Sequence, residues 1–142
     1  MEPVTESLSP AAAAMLSTHA PPQVRLQARA VLVVDDDADA REGLATLVAA
    51  WGYTPVMASS AEEAERLAQY YLVEAAVVDV FLPGKSGEHL LARLRASFPA
   101  AVLVGVSALV DPAMERLCQG MGADLFLGKP VSPEALARAL TR

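Results

Sequence analysis

The sequence predicts an α/β fold with one five-stranded parallel sheet and helices on both faces. Three observations carry this reading. From Arg29 onward, short apolar runs alternate with stretches of helical periodicity, as βα units do. Several helix starts are marked by a capping residue followed by proline or glutamate. Three aspartates and a lysine (Asp35, Asp36, Asp79 and Lys129) each sit where an apolar run stops. In an open parallel sheet, ligands bind outside the carboxyl ends of the strands.

The first strand is expected at Val31–Val34, running into Asp35-Asp36. A helix over Asp39–Ala50 follows, with Leu44, Leu47 and Val48 on one face and Gly52 as its stop. Thr54–Ala58 reads as the second strand. Ser60, with Glu63 three residues on, predicts a reciprocal capping box and a helix to about Leu72. Strand three is Ala75–Val78, ending at Asp79, and Pro83 and Gly84 mark the next segment as a loop.

Helix three is expected over Gly87–Ser97, and Pro99 separates it from a fourth strand at Val102–Val106. The β-branched residues of that strand suit burial on both faces. Asp111-Pro112 makes an N-cap and first-turn proline for a helix ending near Gly120 and Gly122. Leu125–Leu127 is the fifth strand. Ser132-Pro133 then starts a final helix.

With 142 residues, 54% of them hydrophobic, one core and one domain are expected, over 29–142. Residues 1–28, rich in alanine and proline, read as a disordered leader. The net charge of −6 and the lack of a basic block argue against direct nucleic-acid binding. No apolar stretch approaches the ~20 residues that span a bilayer. The single cysteine, Cys118, excludes an intramolecular disulfide and fits a reducing cytoplasm.

Two simple motifs fail on inspection. Gly84-Lys85-Ser86 imitates the end of a P-loop, but Asp79 stands where that motif needs its first glycine. Asp35-x-Asp37-x-Asp39 imitates an EF-hand, yet Ala40 and Thr46 occupy the required glycine and glutamate positions. The joint pattern at the strand ends remains. Carboxylates gathered there would repel by about 4 kcal/mol per pair at ~4 Å, taking an effective dielectric of about 20. A divalent cation together with Lys129 would offset this.

Four stretches in order then resemble a response-regulator receiver domain of two-component signalling: Val31–Asp37, Val77–Gly87, Ser107-Ala108 and Gly122–Pro130. The resemblance implies the flavodoxin-like (βα)5 fold and a phosphorelay role, with Asp79 as phosphoacceptor. It implies a Mg²⁺ ion held by Asp36, Asp79 and the Phe81 backbone carbonyl, with Asp35 acting through water. Lys129 and the Ser107 hydroxyl would bind phosphoryl oxygens. Ser107 and Phe126 would form the switch, read out around helix four, strand five and helix five.

The implied partners are a histidine kinase or histidine-phosphotransfer protein and a downstream protein target, without nucleic acid or membrane. Homodimerisation is left open. The chain departs from the family pattern at Ser107, where threonine is commoner, and at Phe126, often tyrosine. Phe81 and Leu109 are apolar where polar residues orient water, so slow dephosphorylation beneath a cover of these two side chains is expected. No output domain is expected after the last helix.

Two other readings stay open. A haloacid-dehalogenase-type phosphatase would use Asp35 as nucleophile, Asp37 as acid, and Ser107 and Lys129 in its later motifs. It leaves Asp79 without a role and lacks an acidic pair after Lys129. A degenerate receiver would bind its partners without phosphorylation.

Overall fold

A computed structural model describes residues 29–141 apart from Lys85 and Val110, so the leader expected at 1–28 lies outside the described residues. The strands are β1 (Arg29–Val34), β2 (Pro55–Ala58), β3 (Leu72–Asp79), β4 (Val102–Ser107) and β5 (Leu125–Gly128). The helices are α1 (Ala38–Ala50), α2 (Ala61–Ala68), α3 (Gly87–Ser97), α4 (Pro112–Gly120) and α5 (Pro133–Leu140). The sheet is wholly parallel, in the order β2-β1-β3-β4-β5. Each crossover is a helix, as parallel pairing requires.

The central strands are apolar on both faces because both are covered. Leu32, Val34, Ala76, Val78 and Leu103 pack beneath α2, α3 and α4, against Leu90, Leu91, Leu94 and Cys118. Val31, Val33, Val77, Val104 and Val106 pack on the other side against Leu44 and Val48 of α1 and Leu136 and Ala139 of α5. The order reverses beside β1, and strand ends β1 and β3 meet there.

Most helix starts follow their caps. Asp37, Asp111 and Ser132 accept hydrogen bonds from the amides of Ala40, Ala113 and Ala135. The α2 start differs from a reciprocal box. Ser60 Oγ accepts from the Glu63 amide, but Glu63 reaches back to the amide and hydroxyl of Ser59 rather than to Ser60.

Two boundaries differ from expectation by more than two residues. Helix α2 stops at Ala68 rather than near Leu72, and β3 begins at Leu72 rather than Ala75. Tyr70 and Tyr71 turn the chain, and Leu72 then pairs with Arg29 of β1. A register shift between Ala30 and Val31 leaves Glu74 bulged out of the β1–β3 pairing. The bulge let the residues before Ala75 read as non-strand.

At the end of the sheet away from the strand carboxyl ends, Arg95 ties three segments together. Its guanidinium donates to the carbonyls of Pro99, Ala101 and Gly122, and to Asp124 Oδ2 at 2.7 Å. The same Asp124 oxygen accepts from the Leu103 amide. Gly122, at φ +115°, lies so close that a Cβ there would stand 2.8 Å from Arg95 Cβ. Only glycine meets both demands. Charged hydrogen bonds with few solvent alternatives are costly to break, so Arg95→Ala should lower unfolding stability by roughly 2 kcal/mol or more. Urea denaturation measures it, and an unchanged midpoint would contradict this account of the α3–β5 tie.

Candidate functional site

Three acids converge at the carboxyl edge. Asp35 follows β1 and Asp79 closes β3, and the pairing of Val34 with Val78 sets the two strand ends side by side. Asp35 is held by its amide on the Ala58 carbonyl at 3.1 Å. Asp36, the next residue, is exposed, while Asp35 and Asp79 are buried. One carboxylate oxygen from each of the three lies within 4.8 Å of the others.

Lys129, one residue past β5, reaches across β4 to this cluster. Its ammonium sits 2.6 Å from Asp35 Oδ2 and 2.9 Å from Asp79 Oδ2. Its backbone amide donates to the Ser107 carbonyl at 2.8 Å, and the Lys129–Pro130 peptide bond is cis. Each buried carboxylate divides its oxygens. The second oxygen of Asp35 accepts from the Asp37 amide, and that of Asp79 accepts from the Phe81 amide, both at 2.9 Å. Asp36 has no hydrogen bond or ion pair among the described residues.

The charges follow from this geometry. Burial raises the Asp79 carboxyl above its ordinary value, while the hydrogen bonds from Lys129 and Phe81 oppose the rise and the Asp35 charge adds to it. Burial alone would lower the Lys129 ammonium. Its hydrogen bonds to Asp35 and Asp79 outweigh that and raise it, so it stays cationic. With every group ionised, three carboxylates against one ammonium leave a net charge of −2. Oxygen donors alone, an unpartnered Asp36 and a residual double negative charge fit a hard divalent cation.

Ser107 closes β4 and is fully buried, its Oγ accepting from the Leu109 amide at 3.0 Å. The β3–β4 register pairs Asp79 with Val106, which places Ser107 one residue further along the neighbouring strand. Gly87 opens α3 directly against the Asp79 backbone. A Cβ there would overlap the Asp79 carbonyl oxygen and stand 2.6 Å from Val80 Cα.

The expected apolar cover over Asp79 is not built in this state. Phe81 and Leu109, in the loops after β3 and β4, are 51% and 66% exposed. Phe126 is half-buried against the α2–α3–α4 core. A Cβ on Gly105 would lie 3.3 Å from its ring and 3.6 Å from Cys118 Sγ. The bare β4 backbone therefore leaves room for an inward ring, and no phenol oxygen needs water. Asp37 caps α1 and Asp39 lies exposed in its first turn, so neither joins the acid cluster. His89 is exposed, with Nδ1 at 2.9 Å from Ser86 Oγ.

One residue near the site escaped the sequence reading. Arg41 of α1 donates from Nη1 to the Asp35 carbonyl at 2.8 Å. Its signal was a cation within the first turns of a helix, where the macrodipole disfavours positive charge.

The profile of the response regulator receiver domain matches residues 31–141. The chain belongs to the response-regulator receiver domain family. A crystal structure of a response regulator protein from Burkholderia pseudomallei, described with a phosphorylated aspartic acid, calcium ion and citrate, superposes with a TM-score of 0.74. It is 30% identical, over 80% of this chain and 66% of that one. Chemotaxis protein CheY4 of Vibrio cholerae also superposes at 0.74, with 26% identity over 81% of this chain and 97% of that one. A cyclic di-GMP phosphodiesterase of Thermotoga maritima is 35% identical over 111 residues, 78% of this chain. The receiver spans 30% of that protein's length.

The raised Asp79 carboxyl carries a linkage sign. The folded receiver holds this proton more tightly than the unfolded chain, so stability is lost as pH rises from the unfolded value of about 3.9 through the raised one. Asp79→Asn removes that loss. Without divalent cations its urea midpoint should exceed the wild type's at neutral pH, and the gap should close toward acid pH. A wild type more stable than the variant at neutral pH would contradict this.

Proposed function

We propose that this receiver is a Mg²⁺-dependent phosphoacceptor in a phosphorelay, taking a phosphoryl group onto Asp79 from a histidine kinase or histidine-phosphotransfer protein. The observation that carries the reading is Asp79 at the end of β3, bonded to Lys129 and grouped with Asp35 and Asp36. In the transfer, an Asp79 carboxylate oxygen bonds to phosphorus while the P–N bond to the donor histidine breaks. The histidine nitrogen takes up a proton.

Asp36, Asp79 and the Phe81 carbonyl would hold Mg²⁺, with Asp35 acting through water. When bound, the ion neutralises charge developing on the phosphoryl oxygens. Lys129 is proposed to turn from Asp79 to a phosphoryl oxygen, keeping its contact with Asp35. The Ser107 hydroxyl donates to another oxygen. Catalysis here is positioning and charge compensation, so the chain is a phosphoacceptor that assists its own chemistry rather than an enzyme acting on others.

The phosphoryl group adds charge close to −2. Drawing Ser107 toward it alters the packing behind, where Phe126 lies against Gly105, and the change is read at α4, β5 and α5 by a protein target. Phe81 and Leu109 offer no group to orient water, so slow phosphate loss belongs to the proposal. We place the protein in the cytoplasm, where a free buried Cys118 stays reduced. Membership of the receiver family leaves the phosphatase reading without support.

Incubation with acetyl phosphate, read by intact mass, tests the proposal. The wild type should gain one phosphoryl group with Mg²⁺ and none after chelation, and Asp79→Asn should gain none. An unmodified wild type, or a modified Asp79→Asn, would overturn it.

A further inference from the structure

Of the two acids proposed to ligate the cation directly, one is hardly supported by its own contacts. Asp36 is exposed and has no partner among the described residues, so only its backbone aims its carboxylate. That backbone lies between the last residue of β1 and the first of α1, outside the sheet ladder. The Asp35–Asp36 peptide is fixed from one side by Arg41, whose guanidinium reaches back to the Asp35 carbonyl at 2.8 Å. The Arg41 amide also donates to the Asp37 carbonyl at 3.0 Å. That second bond is a main-chain bond of the first turn of α1, which any residue at 41 with an N–H makes, so what the arginine side chain adds is its grip on the Asp35 carbonyl.

We propose that Arg41 is a positioning residue for the cation site, setting through the Asp35 carbonyl the direction in which Asp36 presents its oxygens. The inference rests on the Mg²⁺ reading above. Groups that orient metal ligands without touching the metal commonly govern affinity as strongly as the ligands do. Arg41 is half-buried and its planar fork has donors to spare. Glu63, bonded at Ser59, is the acid on α2 that senses its charge.

Charge and positioning predict opposite signs, which makes the test sharp. Arg41 is a cation beside a cation site, so by Coulomb interaction alone its removal would strengthen Mg²⁺ binding. If Arg41 positions Asp36, its removal weakens binding. Titration calorimetry of MgCl2 into the full chain should show Arg41→Met binding roughly tenfold more weakly than wild type. The urea midpoint without Mg²⁺ confirms folding, and Arg41→Gln carries the same expectation should Arg41→Met not fold. In an Asp36→Ala background, Arg41→Met should cause no further loss, because the arginine acts through Asp36.

Mg²⁺ affinity equal to or tighter than wild type in the Arg41 variant overturns the inference and leaves the phosphoacceptor reading intact. An equal further loss in the Asp36→Ala background also overturns it. A wild type that binds no Mg²⁺ removes the cation reading and this inference with it.

Discussion

The Lys129 ammonium lying between Asp35 and Asp79 is the interaction on which the edge of this receiver depends. Two buried carboxylates one strand apart are untenable without a counter-charge. Lys129 supplies it at 2.6 and 2.9 Å, and its own raised affinity for the proton reflects the same balance. The compensation is partial. It leaves Asp36 without a partner among the described residues and the cluster net negative, which is the condition under which a divalent cation gains by binding. A complete set of internal ion pairs would leave such an ion nothing to do.

The fold is arranged to make that meeting possible. Order β2-β1-β3-β4-β5 brings the ends of β1 and β3 together, and places Lys129 one strand beyond β4, within reach of both acids. Gly87 lets α3 start against the Asp79 backbone, so the strand end is braced rather than loose. At the opposite end, Arg95 and Asp124 join α3, β4 and the α4–β5 turn. Ser107 and Phe126 stand on β4 and β5, between these two braced ends.

Much of this was legible in the residues. Val31–Val34 and Val102–Val106 announce buried strands by composition, and Asp111-Pro112 and Ser132-Pro133 announce helix starts by chemistry that acts within four residues. Asp35, Asp36, Asp79 and Lys129 were legible as a group because strand ends in parallel sheets share one edge. The end of α2 and the start of β3 were not. Leu67 to Leu72 continues an apolar pattern through a turn, and Glu74 interrupts the strand pattern at a bulge. Arg41 and Arg95 were missed for another reason. Arg41 pairs with a backbone carbonyl and Arg95 with three more besides the distant Asp124 carboxylate; a carbonyl that lacks a donor leaves no mark in the sequence, and only the folded chain shows it. The exposure of Phe81 and Leu109 is likewise not encoded by their hydrophobicity.

If Lys129 and a divalent cation compensate the same carboxylates, as proposed, the urea midpoints of wild type and Lys129→Met across a MgCl2 series will show it. Lys129→Met should be the less stable without Mg²⁺ and should gain more from the ion, since at a given concentration the tighter binder is stabilised more and the competing ammonium is gone. Equal gains in the two proteins, or no response to Mg²⁺ in either, would contradict it.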